Sequence, residues 1–351
     1  MSTFAVERKK LSKVYPHPNA DKLELGQVED MTYQFVIPKG LYKTGDEIIY
    51  FPIDSLLPEG FIQQQNIKNF LSGKDQNRIK TVRLRGEISQ GLVTSIDSVK
   101  TYLKTDTLPT DLTAAIGVTK YEAPEIITST GNLIQRPEMV YNYDIENCET
   151  HIDIVDILMN ELVWITEKIE GSNMATFVGI DETISVCTHG HGIVNLPDHE
   201  DHSFWQVAKN EGLIVAAQII QSEFYPNCAV TIRSEFIGPG VQGNHYNLKK
   251  FTTRLFDIDI NGRPLGYNEL QPILDRTGLR AIWVPIISTY ISLKDWLNGR
   301  TLPEASHSQS FMIDKLREGI VIKPMIERYI VGFGRLFLKQ RDPIYLDKTG
   351  R

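Results

Sequence analysis

The feature that most constrains this chain is the recurrence of short β-prone runs separated by Gly, Pro, Asn and Asp turns. Residues 4–6, 23–28, 33–37 and 47–51 are such runs, and Pro16-His17-Pro18-Asn19-Ala20-Asp21, Pro38-Lys39-Gly40 and Thr44-Gly45-Asp46 separate them. Their spacing predicts a small barrel of the OB type. The signature returns at residues 229–233, 254–260, 319–323 and 335–339, and at two runs flanking Gly171-Ser172-Asn173. The best helical period spans residues 201–224, with Asp201 or Ser203 as N-cap and Gly212 weakening the middle. Residues 152–160 and the stretch around Pro272 and 275–279 read as shorter helices. The expected class is α+β, an OB-like barrel followed by antiparallel sheets with flanking helices.

A length of 351 residues suggests two domains. Periodicity fades where Pro109, Pro124, Pro137 and Thr128-Ser129-Thr130-Gly131-Asn132 fall. Boundaries follow: an OB-like nucleic-acid-binding domain over 1–120, a connector over 121–150 and a second domain over 151–351. No run of about 18 apolar residues is present, so no membrane span is expected, and residues 1–10 lack a secretory pattern. Cys148, Cys187 and Cys228 are odd in number and in no CxxC pattern, which fits a reducing compartment, cytoplasmic or nuclear, and argues against a disulfide framework.

The formal net charge of −7 counts against a general, charge-driven nucleic-acid binder and leaves room for a local basic groove. The run Arg78-Ile79-Lys80-Thr81-Val82-Arg83-Leu84-Arg85-Gly86 alternates basic and apolar residues. As one strand it would place Arg78 and Lys80 on one face and Arg83 and Arg85 on the other. Either pair suits a phosphate-tracking groove, and solvated edge charges are the competing reading.

Lysine 168 stands where a β-prone run meets a tight turn, in Glu167-Lys168-Ile169-Glu170-Gly171-Ser172-Asn173. Four later stretches complete a set: Ser234-Glu235-Phe236-Ile237-Gly238, Leu255-Phe256-Asp257, Arg317-Glu318-Gly319-Ile320-Val321-Ile322-Lys323 and Phe337-Leu338-Lys339-Gln340-Arg341. A KxxG alone is weak, and five elements in order are specific. In order, they resemble motifs I, III, IIIa, IV and V of the covalent nucleotidyltransferases, the adenylyltransferase or ATP-grasp-like ligase and capping class. Only residues 340–351 follow Lys339, and the barrel lies in front. With His17-Pro18-Asn19-Ala20-Asp21-Lys22-Leu23, Leu84-Arg85-Gly86 and Gly238-Pro239-Gly240-Val241-Gln242-Gly243-Asn244, this arrangement resembles the Deinococcus/Naegleria type of ATP-dependent RNA ligase, RNA ligase family 5.

The resemblance implies a ligase that seals 3′-OH/5′-phosphate nicks through a lysyl-AMP and an RNA-adenylate, in RNA repair, using ATP and Mg2+ or Mn2+. It implies Lys168 as nucleophile, Glu167 and Asn173 as adenosine contacts, and Glu235 as the motif III carboxylate. Phe256 would stack on adenine, Glu318 would be the motif IV carboxylate tied to metal, and Lys339 would bind phosphate; Lys323 and Arg341 are weaker phosphate-side assignments. The chemistry of the residue types agrees. Glu318 and Glu235 are hard oxygen ligands suited to those ions. Lys323, Lys339 and a divalent ion would offset triphosphate charge. The implied partner is a nicked duplex or bridged RNA with ribose on the 3′-OH side, the protein a monomer with no membrane association.

One departure stands out. Related ligases present an arginine in a Ser-Arg-Gly or Ser-Lys-Gly turn after motif I, and the matching stretch here is Thr188-His189-Gly190-His191-Gly192. A histidine there is only partly charged near neutral pH. His189, His191, His199 and His202 also suggest a transition-metal site, without the spacing that would support one. Two rival readings complete the expectations: an RNA-binding repair-complex protein with the ligase fold and little turnover, and a capping guanylyltransferase.

Overall fold

The computed structural model describes residues 4–121, 133–193 and 202–349. The expected connector residues 122–132, together with His199 and Asp201, lie outside them. The chain divides into two compact units, one of Met1–Ala123, Glu146–Asp156 and Arg341–Arg351, the other of Pro124–Ile145 and Ile157–Gln340.

The first unit is built on a five-stranded antiparallel sheet, in the order Gln34–Pro38, Leu23–Val28, Glu7–Pro16, Glu47–Phe51 and Leu92–Ser95. Strand Glu7–Pro16 pairs Glu47–Phe51 through its first four residues and Leu23–Val28 from Leu11 onward, with a bulge between Leu11 and Lys13. Such a partner switch curls a sheet toward a barrel. Strand Glu47–Phe51 is buried on both faces. Ile48 and Tyr50 join one apolar cluster, while Ile49 and Phe51 join another with Phe61, Ile62 and Val99 from helices Glu59–Gln65 and Ile96–Leu103. Gly91 sits at φ 104°, and a Cβ there would meet the Tyr50 ring at 2.5 Å, so only glycine suits this turn.

Two expectations are corrected here. Residues 4–6 are not the first strand; it runs Glu7–Pro16, hidden in the sequence because only Leu11 of its ten residues is buried. The basic run is not one long strand. Only Val82–Leu84 is extended, hairpinned to Glu87–Ser89 through Arg85 and Gly86, both at positive φ. Arg78 donates to Asp54 at 3.1 Å and Arg83 to Asp347 at 2.8 Å, so both cations are spent within this unit.

The second unit holds two antiparallel sheets. One runs Leu133–Ile134, Gly192–Ile193, Ile184–Cys187, Ser172–Val178, Val230–Ile237, Thr252–Ile260 and Arg263–Pro264 in spatial order. The other contains Leu338–Arg341, Gly319–Pro324, Leu162–Lys168 and Ile286–Ser292 in that order. The chain leaves the second sheet at Lys168 and enters the first at Ser172. Gly171 makes that passage possible, because a Cβ there would lie 2.4 Å from the Phe236 carbonyl oxygen. The expected helix over 201–224 is two helices, Ser203–Asn210 and Leu213–Ile219, and a wider turn Ile220–Phe224. Gly212 takes a left-handed φ of 68° and breaks it. His202, not Ser203, is the N-cap, its Nδ1 accepting from the Phe204 N–H at 3.3 Å. Among the described residues no helix is long and apolar enough to cross a membrane.

Phe61 is fully buried against Phe51 and Tyr102, with ring centroids 5.2 and 5.1 Å away. Replacing it with alanine should destabilise the first unit by about 3–5 kcal/mol, read as a lower urea midpoint for that unit's unfolding.

Candidate active site

Register builds the site. In the antiparallel pair of Leu162–Lys168 with Gly319–Pro324, Lys168 faces Gly319, so Glu318 falls beside the end of the lysine strand. Lys168 Nζ donates to Glu318 Oε2 at 2.7 Å. In the other sheet Asn173 faces Glu235. A cleft in the second unit is bordered by Lys168, Asn173 and Glu235, with Phe256, Lys323 and Lys339 on its other walls and Glu167 beside the lysine. Of the residues singled out in the sequence, these seven border one cleft, and Glu318 joins them through Lys168. Arg341 does not border it; its Nη2 lies 3.9 Å from Asp54 Oδ2 in the first unit.

The carboxylates crowd the lysine. Burial pushes Glu235 up to about 7, with Glu318 adding to the rise and Lys168 and the Gly171 N–H opposing it. Glu170, 5 % exposed, is pushed up to about 8 by burial and then by Glu318 and Glu235, against Lys168. Its Oε2 is 3.9 Å from His245 Nδ1. Burial also raises Glu167, whose Oε2 accepts from the Phe311 N–H at 2.8 Å while Oε1 is unpaired.

No group of three or more His, Cys, Asp or Glu side chains poised to hold a metal occurs among the described residues. The donor chemistry nonetheless suits a hard cation, since carboxylates raised by burial and then by one another, and the unpaired Glu167 Oε1, are relieved by positive charge. Among the described residues the histidine cluster does not assemble: His202 caps a helix, and His189 Nε2 lies 3.3 Å from Asp144 Oδ1. His189 does border the cleft, and its carbonyl accepts from Arg136 Nη1 at 2.6 Å.

Three residues at the site had no role in the sequence reading. Glu170 sits inside the quoted lysine motif, so its place was visible and its burial was not. Tyr143 and Asp144 border the cleft from within the expected connector, where no period marks them.

The fold and cleft define a nucleotidyltransferase-like ligase domain with an OB-fold unit. The family model described as RNA ligase matches residues 161–340, and an OB-fold domain model matches residues 5–96. The first spans half of the chain, and the protein belongs to the RNA ligase family. No curated protein matches in sequence. Among solved structures, Naegleria gruberi RNA ligase with PPi is 24% identical, with TM-score 0.82 and 99% of each chain covered. A mutant of the same ligase with ATP and Mn is 23% identical at TM-score 0.81, with 98% of each chain covered. This likeness is one of fold.

The raised carboxyls fix a sign for stability. A group whose folded pKa exceeds its unfolded value binds more protons in the folded state, so its stabilisation is full below about 4.5 and is lost as pH rises through its folded value. For Glu170 that window ends at about 8. Urea midpoints at pH 5 and pH 8 should therefore differ less in Glu170→Gln than in the wild type.

Proposed function

We propose that the protein is an ATP-dependent RNA ligase that seals 3′-OH/5′-phosphate breaks, with Lys168 as its nucleophile. The observation that carries the proposal is the 2.7 Å bond from Lys168 Nζ to Glu318, made inside a cleft that Lys339 and Phe256 also border.

Lys168 Nζ attacks the α-phosphorus of ATP, the bond to the β-phosphate oxygen breaks and pyrophosphate leaves. An oxygen of an RNA 5′-phosphate then displaces lysine from the AMP, forming a pyrophosphate-linked RNA-adenylate. Last, the 3′-OH of the other end attacks that 5′-phosphate, and AMP departs. A free lysine must give up its proton before the first step, at roughly 4–5 kcal/mol near pH 7. Glu318 lies within hydrogen-bonding distance to hold Lys168 in place, Lys339 supplies positive charge for the phosphates and Phe256 offers a face to the purine. Glu235 and Glu318 are the proposed oxygen ligands for Mg2+ or Mn2+, which when bound neutralises carboxylate and phosphate charge. The first unit is proposed to hold the RNA, a nicked duplex or bridged strand with ribose at the 3′-OH side. Domain limits of 1–120 and 151–351, a monomeric state and a cytoplasmic or nuclear address belong to the same proposal. Cys148 and Cys187, both buried and unpaired, are compatible with that address.

Incubation with ATP labelled at the α-phosphate should leave AMP on the wild type and none on Lys168→Ala, a loss of at least a hundredfold. Absence of label on the wild type sinks the enzymatic reading and favours an RNA-binding protein with little turnover. Label from GTP in preference to ATP would favour capping chemistry. Sealing of matched nicks should fail when the 3′-OH strand ends in deoxyribose.

A further inference from the structure

The aromatic wall of the cleft is held from behind by one carboxylate. Asp257 is completely buried, and its Oδ2 accepts from Lys323 Nζ at 2.9 Å, from Arg335 Nη1 at 2.6 Å and from the Tyr143 hydroxyl. Lys323 and Tyr143 also touch the wall, and Arg335 reaches it through Phe337, which packs on Tyr143. Lys323 Nζ gives a second bond, 2.8 Å, to the carbonyl oxygen of Phe256. The Tyr143 ring lies 4.8 Å from the Phe256 ring and 5.5 Å from the Phe337 ring. Arg335 stacks 4.5 Å above Phe337, its other edge held by Glu327 at 2.6 and 2.8 Å.

This geometry changes the part that Lys323 plays. Its side chain is 3 % exposed, two of its three donors go to Phe256 and Asp257, and the ammonium lies 4.8 Å from the centroid of the Trp164 ring. An ammonium so placed is committed to protein partners. Burial presses the Asp257 carboxyl up, but Arg335 and Lys323 outweigh it and hold it at about 2, so it stays an acceptor across the working pH range.

We infer that Asp257 is a positioning residue for the nucleotide base: acting through Lys323 and Tyr143, it fixes the Phe256 ring as a stacking platform, and Lys323 serves that platform and not a phosphate. The inference rests on the ATP reading above. A ring whose backbone carbonyl is held by Lys323 and which packs against a second, tilted aromatic ring cannot shift without disturbing buried, charge-assisted bonds. The base then meets a preformed surface, and less binding free energy is lost to ordering it.

The test is calorimetric binding of α,β-methylene ATP, which cannot transfer AMP, and of inorganic tripolyphosphate to the full chain. Wild type, Asp257→Asn and Lys323→Met are compared, with thermal midpoints recorded alongside. Both variants should bind the ATP analogue at least tenfold more weakly and tripolyphosphate within twofold of wild type. Equal losses for the two ligands would make Lys323 a phosphate contact and overturn the inference. Unchanged analogue binding would overturn it as well. Should Asp257→Asn fail to fold, Lys323→Met decides, since methionine fills a similar buried slot without a charge. If neither folds, Tyr143→Phe decides, with a two- to fivefold base-selective loss expected from removal of the hydroxyl alone. A wild type that binds the analogue no more tightly than tripolyphosphate would overturn the ATP reading and this inference together, an outcome distinct from the variant results.

Discussion

The site depends on one register, that which sets Lys168 opposite Gly319. Residues Val163 to Glu167 are all buried, so the lysine strand is gripped on both faces before it reaches the cleft. Sliding the pair by one residue would turn Trp164 and Ile165 to the wrong faces and carry Glu318 away from the lysine. The penalty for moving two large apolar side chains out of the core is several kcal/mol. An enclosed ion pair such as Lys168–Glu318 gives up hydration for its attraction, so its net contribution is small beside that packing. The apolar pattern therefore positions the charged pair, not the reverse.

Beyond Lys168 the chain changes sheet, and charge takes over from packing. Glu318, Glu235 and Glu170 gather around the lysine in a place too enclosed to solvate them fully. Burial first, and their mutual repulsion after it, raises the carboxyls of Glu170 and Glu235. An arrangement that holds like charges together is stable only because packing elsewhere enforces it, and it is poised to receive positive charge. Lys339 borders the same cleft and adds a cation to its lining.

Legibility in the sequence followed the physics of each element. Strands such as Leu23–Val28 and Glu47–Phe51 were plain because apolar β-branched and aromatic residues cluster between turns. Glu7–Pro16 was not, since its side chains are mostly solvated and backbone pairing alone makes it a strand. Residues 201–224 showed helical period, yet that period is silent about Gly212 turning left-handed within it. At the site, the ordered motifs pointed to residues that the fold brings to one cleft, because all lie on or beside paired strands of the two sheets. Tyr143 and Asp144 come from a stretch without periodicity, so only tertiary structure places them there. Lys323 is the instructive case. Its residue type suggested a phosphate ligand, whereas burial against Asp257 and Trp164 gives it other partners.

Lys323 belongs to a buried charge layer whose composition shows what holds it in place. Arg233 pairs with Asp259, Lys323 and Arg335 share Asp257, and Arg335 also grips Glu327: three cations against three carboxylates. Withdrawing Lys323 toward a bound phosphate would leave Asp257 one partner short in a fully buried position, and breaking such a pair costs about 3–5 kcal/mol. A well-packed apolar layer of equal volume need be no less stable. What it lacks is direction. Hydrogen bonds to a single oxygen set angles as well as distances, and here they lock the backbone of Phe256 to the ring of Tyr143 and the guanidinium over Phe337. Two sets of charges thus coexist within one unit, a balanced set behind the aromatic wall that fixes geometry and an acidic set around Lys168 whose carboxyls burial raises.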